Sequence, residues 1–123
     1  MLNYFNYNEF DSPDDIGSGM PKSKGGQMND EFLFKLDEAR MLAGTPFNIT
    51  SGYRSSKHNE KVGGVVGSSH LKGCAVDIAV NSSLQRSAIV CALVKAGFTR
   101  IGIAKTFVHV DLDKQKQNAI WLY

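Results

Sequence analysis

Two of the three histidines in this 123-residue chain stand in settings that suit metal chemistry. His70 belongs to Ser69-His70-Leu71-Lys72-Gly73-Cys74-Ala75-Val76-Asp77, seven residues ahead of an aspartate, and His109 lies inside Phe107-Val108-His109-Val110-Asp111. Zinc accepts imidazole nitrogen and carboxylate oxygen, and a catalytic zinc site takes three protein ligands and keeps a fourth position for water. Two histidines and one aspartate are a chemically sensible set of three. Spacing alone does not select them, because a histidine in an apolar strand is ordinarily a packed side chain. Asp111 follows His109 by two residues, so in a strand both point to one face, about 7 Å apart. A carboxylate there either removes a proton from an activated water or orients the neighbouring imidazole. Asp113 continues the alternation farther off. Arg54 offers a fixed charge and a forked set of donors suited to carboxylates or a developing oxyanion, its plain alternative being a surface ion pair. His58, in a polar stretch near Arg54, is either a substrate contact or a solvent-exposed histidine. Ser69, just ahead of His70, is either a substrate or metal-shell hydroxyl or a local cap.

The elements that would position these residues can be read from periodicity. Phe32, Leu36, Ala39 and Ala43 draw an apolar stripe at helical spacing over residues 29–43, with Asn29 or Asp30 as cap and Gly44 and Pro46 as the stop. Residues 47–50 alternate like a short strand that runs into Ser51-Gly52-Tyr53-Arg54, and a helical turn is expected at 56–61. Residues 74–80 have strand character, with Ala75, Asp77 and Ala79 on one face and Val76, Ile78 and Val80 on the other. A second helix is predicted over 83–96, opened by Ser82 and Gln85 as a capping box and closed by Gly97. Residues 98–103 and 107–112 read as strands joined by a hairpin at 104–106, with an edge strand at 119–122. Two main helices against a small, mostly antiparallel sheet make an α+β domain. The first 27 residues, rich in turn signals such as Ser12-Pro13-Asp14-Asp15 and Gly25-Gly26, are expected to form an irregular arm packed on a body of residues 28–123. Tyr4, Phe5, Tyr7 and Phe10 are its aromatic anchors.

Composition bounds the function. The chain is long enough for one domain with its own core. It is 42% hydrophobic and 21% charged with a formal net charge of +2, which excludes a basic nucleic-acid stripe and leaves an anionic cell-wall partner open. No run approaches the roughly 18 apolar residues of a membrane span. Met1 to Phe10 lacks the pattern of a signal peptide, so synthesis in the cytoplasm and delivery by some other route, such as cell lysis, is the expectation. Cys74 and Cys91 sit in apolar surroundings and read first as buried thiols, with a disulfide or a fourth metal ligand as alternatives.

Taken together, Ser51-Gly52-Tyr53-Arg54, His58-Asn59, Val62-Gly63-Gly64, Ser68-Ser69-His70, Gly73-Cys74-Ala75-Val76-Asp77-Ile78 and Phe107-Val108-His109-Val110-Asp111 resemble the M15 family of zinc D-Ala-D-Ala carboxypeptidases and their relatives, including phage endolysins that cut L-alanyl-D-glutamate bonds. The resemblance covers residues 51–111 and a helix ahead of them, and says nothing of the first 27. It implies a hedgehog-like, DD-peptidase-like fold, a Zn2+ cofactor on His70, Asp77 and His109, and a peptidoglycan stem peptide as substrate. Arg54 would bind a substrate carboxylate or stabilise the oxyanion. Many members of the wider family place an acid or a histidine two or three residues before the last ligand. Thr106 and Phe107 occupy those positions here, which leaves Asp111 as the candidate base. No nucleophilic Ser or Cys is needed, and no G-x-S-x-G elbow is present. The expected product is a monomeric zinc peptidase, of phage or bacterial origin with the small size leaning toward a phage lysis protein; a non-catalytic zinc module that binds cell wall or protein, as the hedgehog signalling domain does on this fold, is the alternative.

Overall fold

A computed structural model describes residues 2–123. Helix α1 spans Asp30–Ala43, capped by the Asn29 side chain on the Phe32 N–H at 2.8 Å and ended by Gly44 in the left-handed conformation. Strand β1 (Ile49–Ser51) leads to the short helix α2 (Ser56–Lys61). A 3-10 turn, Ser69–Lys72, precedes β2 (Ala75–Ala79). Helix α3 spans Ser83–Lys95, then β3 (Arg100–Ile103), β4 (Phe107–Asp111) and β5 (Ala119–Leu122) complete the sheet. The expected box at the start of α3 forms differently: Ser82 accepts from Gln85 N–H at 3.1 Å, but the Gln85 side chain accepts from Asn81 rather than from Ser82.

The strands lie in the order β1-β2-β4-β3-β5. All neighbours are antiparallel except β3 and β5, which run parallel, so the fold is α+β with a mostly antiparallel sheet. Helix α1 packs on α3, and α3 packs on β4. Alternation along the strands sorts the side chains. Val76, Ile78, Ile101, Val108 and Val110 are fully buried in the core with Phe32, Leu33, Leu36, Ile89 and Leu93 from the helices. The opposite face of the sheet is left for chemistry.

One register row crosses that polar face on all five strands. Ser51 pairs with Asp77, Asp77 with His109, His109 with Gly102, and Gly102 with Trp121. A register shift between Ile49 and Ser51 brings Ser51 into line with Asp77.

Phe5 and Phe10 of the first 27 residues pack with tilted rings, centroids 5.3 Å apart, in the main core, joined by Leu2 and Phe47, with Tyr7 packed alongside. Tyr4 is exposed, with the Arg40 guanidinium 4.9 Å over its ring. The buried carboxylate of Asp37, on α1, accepts from the backbone N–H groups of Asn3 and Tyr4 at 3.0 and 2.9 Å. Among the described residues, no helix is long and apolar enough to cross a membrane. Both cysteines are free. Cys74 is buried, whereas Cys91 is exposed on α3, against the expectation of two buried thiols. An amphipathic helix buries only one stripe, and Cys91 falls outside the stripe set by Ile89 and Leu93.

Candidate metal centre

Asp77 and His109 face each other across the β2–β4 pair, and His70 reaches them from the 3-10 turn just before β2. Gly73 ends that turn at φ 70°, a conformation that costs a glycine little, and so redirects the chain into β2. A side chain at Gly73 would also strike the Gln27 carbonyl, at 1.9 Å from its Cβ. One donor atom each from His70, Asp77 and His109 falls within 4.8 Å of the others.

The hydrogen bonds behind these atoms decide which nitrogen faces the cluster. His70 Nδ1 donates to the Gly52 carbonyl at 2.8 Å, leaving Nε2 to point at Asp77 Oδ1, 3.4 Å away. His109 Nε2 donates to Asp111 Oδ2 at 2.8 Å, and its Nδ1 lies 2.9 Å from Asp77 Oδ1. Each imidazole is thus held by an acceptor on its far nitrogen, the arrangement that fixes tautomer and aim in histidine metal ligands. Atoms bound to one zinc at its usual bond lengths lie about 3.3 Å apart. The 3.4 and 2.9 Å separations match that spacing to within small side-chain movements. The donor set therefore fits zinc.

Electrostatics point the same way. Burial works against the charged form of Asp77, but bonds from His109 and His70 outweigh it and hold its carboxyl well below the usual range. Burial also favours neutral His109, yet the bonds to Asp111 and Asp77 raise its pKa. The pair of carboxylates around His109 thus favours positive charge at this point. Asp111 is itself kept ionised against burial by His109 and Arg100, whose Nε donates to Oδ1 at 2.7 Å.

These residues line an open cleft of about 310 Å³, with Arg54 on its wall. Arg54 Nε donates to Ser51 Oγ at 3.1 Å, Nη1 to Asn59 Oδ1 at 3.3 Å, and Nη2 lies 3.6 Å from Asp77 Oδ2. Asn59 is buried and also donates from Nδ2 to the Val65 carbonyl at 3.1 Å. Gly64 packs so closely on it that a Cβ there would sit 2.0 Å from Asn59 Oδ1. The arm braces the same segment: Tyr53 N–H donates to the Phe10 carbonyl at 2.9 Å and Ser55 N–H to Ser12 Oγ at 3.1 Å.

Ser69 also lines the cleft, and its hydroxyl donates to Asp113 Oδ2 at 2.7 Å. Burial opposes the charge on Asp113, but Ser69 and Lys72 hold its pKa down at about 2. His58 does not line the cleft; it lies on the short helix α2. Asp111 sits on the far nitrogen of His109, away from the cluster of donor atoms. Sequence reasoning passed over Arg100, Asn59, Lys116, Trp121 and Tyr123. The hairpin at 104–106 carried a signal for Arg100, because its register continues from Ile101–Val110 to set Arg100 beside Asp111. Trp121, whose ring lies 5.6 Å from that of His109, arrives through the parallel β3–β5 pairing, for which no local pattern exists.

A family model described as Peptidase M15 matches residues 3–111. The match takes in the arm, well beyond the stretch from 51 on which the motifs lie. No curated protein matches the chain.

Proposed function

The chain belongs to the M15 peptidase family, and from that premise we propose that it hydrolyses a peptide bond in bacterial peptidoglycan stem peptides, using zinc held by His70, Asp77 and His109. The observation that carries this reading is the convergence of those three side chains, each histidine aimed by a bond on its far nitrogen, at the floor of an open cleft. Zinc bound there supplies Lewis acidity toward a water and the scissile carbonyl. Arg54, braced by Ser51 and Asn59, meets a substrate carboxylate or the oxyanion that develops during attack. Asp111 holds the His109 ring in its tautomer and orientation. The geometry favours this role over that of a proton acceptor, because both Asp111 oxygens are engaged by His109 and Arg100.

A second reading has a specific observation behind it. Among the described residues that line the cleft, Asp77 and Asp111 are the only acidic side chains, and both are engaged. A zinc-containing module that binds cell-wall peptide or a protein partner without cutting it would need no base.

Digestion of purified peptidoglycan, followed by mass spectrometry of the muropeptides, separates the two. The peptidase reading expects shortened stem peptides that disappear on chelation, return with zinc, and are lost in His70→Ala. Release of a terminal D-Ala marks a carboxypeptidase, and internal cleavage marks an endolysin-type endopeptidase. Unchanged muropeptides from zinc-loaded protein that still binds them select the non-catalytic reading.

A further inference from the structure

Three fixed cations line the cleft: Arg54, Arg100 and Lys116. Arg54 is engaged by Ser51, Asn59 and Asp77. Arg100 donates to Asp111 and to the Gln117 carbonyl, and its guanidinium lies 5.0 Å over the Trp121 ring. Lys116 differs. Its Nζ donates to Ser69 Oγ at 3.1 Å and stands 3.6 Å from Asp113 Oδ2. That carboxylate is already taken by Lys72 at 2.9 and 3.1 Å, by Ser69 at 2.7 Å and by Gln115 N–H at 3.2 Å. Two ammonium groups therefore face one buried carboxylate, and the surplus positive charge lies on Lys116, at the cleft wall. An ammonium has three donors, and Ser69 takes one of those on Lys116. The Lys116 side chain is 36% exposed against 2% for Asp113, so it is open to solvent while its carboxylate neighbour is not. Lys116 lines the same cleft as the proposed metal ligands His70, Asp77 and His109.

We propose that Lys116 is a specificity residue that recognises a carboxylate on the substrate, so that the cleft selects stem peptides with a free carboxylate near the scissile bond over those in which it is amidated. This rests on the reading of the cleft as a peptide site. Lysine suits the task because it offers a mobile point charge rather than a fixed fork, and a bond to a charged partner contributes more than a neutral one.

The test is an NMR titration of the zinc-loaded protein with L-alanyl-γ-D-glutamyl-L-lysine, carrying either a free or an amidated glutamyl α-carboxylate. Bound and cleaved peptide give separate signals, so binding is read whether or not cleavage occurs. The wild type should bind the free acid about tenfold more tightly than the amide, a preference that shrinks as salt rises. Lys116→Met should erase the preference by weakening the acid alone, and Lys116→Arg should retain most of it. Equal affinity of the wild type for both peptides overturns the proposal without recourse to any variant, as does an equal loss for both in Lys116→Met. If both peptides are bound or cut without preference, only the role of Lys116 falls. If neither binds, the role of Lys116 toward this carboxylate falls, and the peptidase reading stands or falls on the muropeptide digestion.

Discussion

Asp111 shows how much the side of a ring matters. Strand alternation placed it beside His109, and this much was legible from two residues of spacing. Alternation does not say which imidazole nitrogen the carboxylate meets, and that choice separates a base from an orienting group. The contact on Nε2, with Nδ1 turned toward Asp77, supports the orienting role. Asp111→Asn is therefore expected to weaken zinc binding by about 10- to 100-fold, measured by competition with a chromogenic chelator. A base would behave otherwise: zinc affinity would stay and turnover alone would fall. The clustering of His70, Asp77 and His109 was readable because ordered motifs carried it. The engagement of Asn59 with Arg54 was not, since a buried asparagine in a short polar helix has no sequence signature.

The elements matter here through their register. Five strands put Ser51, Asp77, His109, Gly102 and Trp121 in one row, and each neighbour depends on the next. Gly102 is the least conspicuous member. A Cβ at this position would lie 2.7 Å from atoms of both the Trp121 and Tyr123 rings, so the absent side chain is what lets the edge strand fold its aromatics toward the cleft. Gly102→Val should destabilise the protein by about 1–3 kcal/mol, read by urea unfolding. Both helices and the hairpin were evident from periodicity and turn residues, which are local. The strand order and the parallel β5 were not, because pairing partners distant in sequence leave no local trace.

At the scale of the whole molecule, residues 2–27 share the core rather than lying beside it. The sequence predicted an arm packed through aromatics, and Phe5 and Phe10 pack there, while Tyr4 stays outside. What turn-rich composition hid is a long-range contact: the Phe10 carbonyl and the Ser12 hydroxyl of the arm hold the segment that carries Arg54. Phe10 is fully buried, so Phe10→Ala should cost about 3–5 kcal/mol of stability, seen as a lowered urea midpoint. The row across the sheet has one more consequence. Trp121 is the single tryptophan of the chain, and it stands on the cleft wall beside His109 and under the Arg100 guanidinium. The protein thus carries one indole fluorophore, placed where metal and peptide would arrive and excitable at wavelengths beyond the tyrosine band. Its emission reports on that spot alone, so loading of the site can be followed in unlabelled protein and in real time.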